Sequence, residues 1–127
     1  MNNKGFTLTE LLASVAILAV ISTIAVVSYS KVMKDNKIKQ CEQKILFIEK
    51  QAIKYLSDNP EFLHNSNSID ININEAINIL VDNNYLSNDE EDNDTINPIT
   101  ESEFTGSLEL SKTNGLIDVK YVGDTCE

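Results

Sequence analysis

Residues Leu11 to Val27 form an uninterrupted run of apolar and small side chains, and this run limits the chain more than any other feature. A segment that is apolar on every side has no face to offer to water. Extended back to Phe6, it would make a helix of about 33 Å at ~1.5 Å per residue, enough to cross a hydrocarbon layer of about 30 Å. Its flanks are not those of an ordinary secretory signal. The stretch ahead of it, Met1-Asn2-Asn3-Lys4-Gly5, is very short, no lipid-attachment cysteine lies near, and Ser28 with Ser30 make only a weak small-x-small pair. Ala13, Ala16, Ala19 and Thr23 fall on one helix face. Small residues there allow close helix approach in lipid, and generic anchor composition accounts for them equally well.

Glu10 lies inside this segment and needs a reason. A carboxylate near the centre of a bilayer costs roughly 2.5–3.5 kcal/mol, and less toward its edge. On one reading Glu10 snorkels to the headgroups. On the other it meets a positive charge from another chain. A free amine on Phe6 of a neighbour would supply one, if the residues before Phe6 were removed.

The string Lys4-Gly5-Phe6-Thr7-Leu8-Thr9-Glu10-Leu11-Leu12, followed by the apolar run, resembles the type IV prepilin signature. Pilins, competence pseudopilins and secretion-system pseudopilins share that signature. The likeness covers residues 1–30. It implies a leader, residues 1–5, cleaved between Gly5 and Phe6 by a membrane prepilin peptidase. It implies N-methylation of the new Phe6 amine and pairing of Glu10 with that amine in an adjacent subunit. Residues 6–30 would then be the transmembrane and assembly helix, and residues 31–127 an extracytoplasmic stem and acidic head. The implied partners are other pilin subunits (in a homo- or hetero-polymer), a prepilin peptidase/methyltransferase, an inner-membrane assembly platform, and membrane lipid before assembly. Two departures stand out. Thr9 occupies a position often held by Ile. Many members also carry a helix-breaking Pro near the end of the segment, whereas this chain has neither Pro nor Gly between Thr7 and Asn59.

The helix is expected to continue past the membrane. Ile38, Cys41, Ile45, Ile48, Ala52 and Tyr55 recur at helical spacing, and Leu46, Ile53 and Leu56 are expected to widen that face. Asp58-Asn59-Pro60 should end it. From Phe6 to Asp58 such a helix would measure about 80 Å, against a radius of gyration of about 12–13 Å for a domain made of residues 31–127. It is therefore expected to project well beyond the head. The stripe would pack on a sheet or pair as a coiled coil.

Net charge is −10, unevenly spread. Lys31 to Ser57 holds seven lysines against three acids; Asp58 to Glu127 holds two lysines against sixteen acids. The basic stem could meet acidic heads of other subunits or anionic lipid. An acidic head without Arg or Trp disfavours direct nucleic-acid binding. Cys41 and Cys126 are too isolated for a zinc site and either pair, in an oxidising location, or remain free. The loop from Ser87 to Thr105 carries alternating acids and amides. Asp89, Glu91, Asp92 and Asp94 are calcium-ligand candidates there, with a solvated loop as the alternative. Some pseudopilins bind calcium near this region.

The rest reads as a small α+β head. Asn72-x-x-Glu75 resembles a capping box ahead of a short helix faced by Ala76, Ile77, Leu80 and Val81, with Tyr85 and Leu86 anchoring its end. Alternation at Leu108 and Leu110, then Asn114-Gly115, then Ile117, Val119 and Tyr121 predicts a β-hairpin. A further strand is expected within Ser68 to Ile73 or Ile99 to Phe104, since two strands alone are marginal. The fold class is thus α+β: a long N-terminal helix, membrane-spanning in its first half and amphipathic in its second, on a small C-terminal antiparallel sheet. One histidine in a polar loop, His64, no nucleophile elbow and no paired carboxylates in an ordered setting argue against an enzyme, and no cofactor is indicated. The expected function is a structural subunit of a type IV pilus or related pseudopilus, anchored singly in the membrane and then carried in an extracellular filament. The alternative is a single-pass envelope protein whose acidic head binds a partner.

Overall fold

The structure is a computed structural model that describes residues 5–64, 66–91 and 93–126. It divides into two compact units, one ending at Asn36 and one beginning at Lys37. In chain order the elements are helix α1 (Leu8–Asp58), a 3₁₀ turn (Pro60–Leu63), strand β1 (Ser68–Asn72), helix α2 (Ile73–Asp82), and strands β2 (Ile96–Asn97), β3 (Ser102–Glu103), β4 (Gly106–Thr113) and β5 (Leu116–Gly123). This is the expected α+β arrangement of a long apolar N-terminal helix and a small antiparallel sheet.

Helix α1 runs for 51 residues because nothing between Thr7 and Asn59 breaks it. It stops at Asp58. The Asn59 amide and its side-chain Nδ2 both donate to the Tyr55 carbonyl at 2.9 Å, and Pro60 then opens the 3₁₀ turn. In the first unit α1 buries nothing; Ile24, for example, is 64% exposed. In the second unit it buries Cys41, Ile48, Ala52 and Leu56, with Ile38, Ile45, Ile53 and Tyr55 packed at the margins. Leu46 departs from expectation: it is 54% exposed. At ~100° per residue it lies about 160° around the helix from Ile48, too far to share the core face.

The stripe packs on a sheet. Strands β1, β4 and β5 pair antiparallel in the order β1-β4-β5. The hairpin register matches Thr113 with Leu116 across Asn114-Gly115. Both turn residues have positive φ, 52° and 81°, the twist a two-residue hairpin requires. Leu108, Leu110 and Val119 point into the core, as alternation demands. The additional strand is β1, which pairs Ile69 with Leu110 and Ile71 with Leu108. The other candidate segment, Ile99 to Phe104, adds no strand to this sheet; it supplies β3, which pairs with β2 in a separate two-residue ribbon. Gly106 has φ +113°, and a Cβ there would lie 2.3 Å from the Val122 carbonyl oxygen, so only glycine fits at the start of β4.

Helix α2 is held by Ile73, Ala76, Ile77 and Leu80 against the same core. Its Asn72 cap accepts the Asn74 amide at 2.9 Å, an ordinary N-cap to the second helical residue in place of the expected box with Glu75. Phe104 is among the most deeply buried side chains. Tyr55 stacks edge-on with Phe62 and Tyr85 at centroid distances of 5.9 and 5.5 Å, which anchors the chain after α2.

Candidate assembly site

The start of α1 is built by two side chains. The Thr7 amide donates to Glu10 Oε2 at 2.9 Å, and the Glu10 amide donates to Thr7 Oγ1 at 3.2 Å. This reciprocal pair is a capping box, which satisfies two amides that the first turn of a helix leaves without partners. It also sets a carboxylate at the positive end of the helix dipole. The spacing Thr7-x-x-Glu10 ahead of an apolar run is the signature of such a box, so this feature was present in the sequence beneath the membrane argument. Gly5 has open space around it, and Phe6 is 88% exposed. Residues Met1 to Lys4 of the expected leader lie outside the described residues.

Beyond the cap the helix satisfies its own polar groups. Ser14 Oγ donates to the Glu10 carbonyl at 2.9 Å, Ser22 Oγ to Leu18 at 2.6 Å, Thr23 Oγ1 to Val20 at 2.7 Å and Ser30 Oγ to Val26 at 3.0 Å. Such back-bonding is what hydroxyls must do where no water is available. Ala13, Ala16, Ala19 and Thr23 all lie exposed on this segment. The helix is long and apolar enough to cross a membrane.

Residues 1–26 match the family model of the prokaryotic N-terminal methylation motif. It is the type IV pilin and pseudopilin signature. No curated protein and no solved structure matches the chain. The methylation motif covers Gly5, Phe6, Thr7 and Glu10 together, and with the apolar helix behind it fits a pilin or pseudopilin subunit. The methylation motif marks a family of structural proteins, and the apolar helix suggests membrane anchoring.

The remaining candidate residues lie in the second unit. Cys41 and Cys126 are joined by a disulfide, with Cα atoms 5.8 Å apart at a sequence separation of 85. Asp89 and Glu91 are exposed, and Asp92 lies outside the described residues. Asp94 faces inward: its Oδ2 accepts the Ser87 amide at 2.9 Å, and its own amide donates to the Ser87 carbonyl at 2.8 Å. Among the described residues no three His, Cys, Asp or Glu side chains gather closely enough to hold a metal ion. His64 is exposed.

Two phenols are tied into the head. Tyr85 Oη donates to Asp58 Oδ2 at 2.6 Å, and this bond to a carboxylate raises the phenol's pKa above its ordinary value of 10.0. Burial, and then the Asp124 charge, raise Tyr121 in the same direction. Folding thus favours the neutral phenols. Their contribution is complete below the ordinary phenol range of about 10 and is lost as pH rises through the higher folded values.

Proposed function

We propose that this chain is a structural subunit of a type IV pilus or related pseudopilus. Residues 1–5 are the leader, residues 6–30 the transmembrane and assembly helix, and residues 31–127 the extracytoplasmic stem and head. The observation that carries this reading is the register at the helix start. Gly5-Phe6 precedes the Thr7–Glu10 box, which precedes a helix that buries no side chain of its own before Cys41. The apolar run within that stretch, Leu11 to Val27, needs lipid before assembly and other subunits afterwards. The work of such a protein is to be inserted, processed and packed.

The mature chain is expected to begin at Phe6 with a methylated amine, and intact-mass measurement on native protein checks this. A mass that retains Met1 to Gly5, or one that starts at Lys31, would overturn it. Immunogold labelling of sheared fibres then separates the roles. Label along whole fibres marks a major subunit, and sparse or terminal label a minor one. Fibres without label leave a single-pass envelope protein with a partner-binding head.

Charge should matter between subunits. The ion pair found among the described residues is Lys37–Glu101 at 3.7 Å, with both side chains largely in solvent. An exposed pair of this kind contributes about 0–1 kcal/mol. Lys31, Lys34 and Lys39 are exposed, and so are Asp89, Glu90 and Glu91. If stems and heads of different copies attract one another, purified filaments will shed subunits as salt approaches about 1 M, where screening acts within about 3 Å. Filaments indifferent to salt would leave lipid attraction as the use of the basic stem.

A further inference from the structure

Besides the exposed Lys37–Glu101 ion pair, one side chain of α1 fastens the acidic loop by hydrogen bonds. Lys44, part-buried on α1, donates from Nζ to the Asn93 carbonyl at 2.8 Å and to the Ile96 carbonyl at 3.1 Å. These bonds reach across 49 and 52 residues. The side-chain bonds inside the loop are local. Ser87 and Asp94 close on each other across a separation of seven. Asn93 Oδ1 accepts both the amide and the hydroxyl of Thr95, at 2.9 and 2.6 Å. Asn97, 3% exposed, accepts the Ile99 amide at 2.8 Å. Local bonds shape a loop without placing it on a helix. The Lys44 bonds tie its middle to α1, while Ile99 and Phe104 pack its far end on the core.

We infer that Lys44 is the cation on which this loop is built, holding by its ammonium the kind of position that a divalent ion fills in acidic loops, so that the loop orders without calcium. An ammonium brings three donors and one positive charge, and the negative ends of two carbonyl dipoles are turned toward it. Calcium needs six to eight oxygens within about 2.3–2.6 Å. Near Lys44 the two carbonyls are already engaged, one Asp94 oxygen accepts the Ser87 amide, and Asp89 and Glu91 are exposed. A divalent ion at those carbonyls would also face the repulsion of the ammonium.

The test uses the full-length chain in detergent micelles and follows amide hydrogen exchange through the loop and the head. For the unsubstituted chain, exchange at Asp94 and Thr95 is expected to be the same in millimolar calcium chloride and in excess chelator. Lys44→Met keeps the apolar stem and removes the ammonium. It is expected to speed exchange at those amides about tenfold or more while β4 and β5 keep their protection. Should Lys44→Met not fold, Lys44→Gln, which retains a neutral donor, is read in the same way. Slower loop exchange with calcium in the unsubstituted chain would overturn the inference. So would unchanged loop exchange in a folded Lys44 variant.

Discussion

Glu10→Ala is expected to insert into the membrane as well as the unsubstituted chain and to fall at least about tenfold in recovery from sheared filaments. Removing a charge from an apolar segment makes insertion easier, so an assembly defect has to come from a lost partner. Truncating one member of a buried charge pair costs about 2–5 kcal/mol, more than a factor of ten. The structure adds a second role for Glu10, because its carboxylate also caps α1 through the Thr7 amide. Two further variants separate the roles. Glu10→Gln retains a capping acceptor and loses the charge, and Thr7→Ala retains the charge and loses about 1 kcal/mol of cap. If intersubunit pairing with the Phe6 amine dominates, Glu10→Gln should fail like Glu10→Ala, and Thr7→Ala should assemble nearly normally. Assembly of Glu10→Ala at the unsubstituted level would remove functional weight from the pairing. Failure of Thr7→Ala alone would assign the effect to the cap.

Reducing the Cys41–Cys126 disulfide should produce the largest change in head stability. Closing a loop of this length (a separation of 85 residues) is worth on the order of 4–5 kcal/mol by the chain-entropy account. For a head of this size that corresponds to a fall in thermal midpoint of roughly 20–30 °C. Melting with and without reductant measures it directly, and Cys126→Ser should reproduce the reduced value. Protein extracted without reductant should show no titratable thiol. Two thiols per chain would reject the bond in the native molecule. The effect should concentrate at the end of the chain, because Cys126 lies beyond β5 and is the buried side chain that ties those last residues to α1.

Periodicity made α1 legible over nearly its whole length, since apolar runs and 3–4 spacing are local signals. Its stop at Asp58 follows from Asn59-Pro60, and the hairpin from Asn114-Gly115. Leu46 failed because hydrophobicity alone does not record angle, and its place on the wheel sets it outside the core face. Strand β1 was legible only as a candidate, because two isoleucines are too short an alternation to decide between segments. Strands β2 and β3 are two residues each and leave no period to read. At the candidate assembly site, the motif that holds Gly5, Phe6 and Glu10 was legible from its register, and the match over residues 1–26 falls on it. Glu10's bond to Thr7 is encoded in their three-residue spacing, which the same carboxylate's place beside an apolar run does not reveal. The reach of Lys44 was not legible, because which carbonyls lie near a lysine 49 residues away is decided by the tertiary fold.

The disulfide also fixes how the head bears mechanical load. Tension drawn through α1 enters the second unit at Lys37 and meets a covalent crosslink at Cys41 before it reaches the packing of Ile48, Ala52 and Leu56. Force is handed through sulfur to the end of the chain just past β5, so the helix cannot be peeled from that side by breaking hydrogen bonds in sequence.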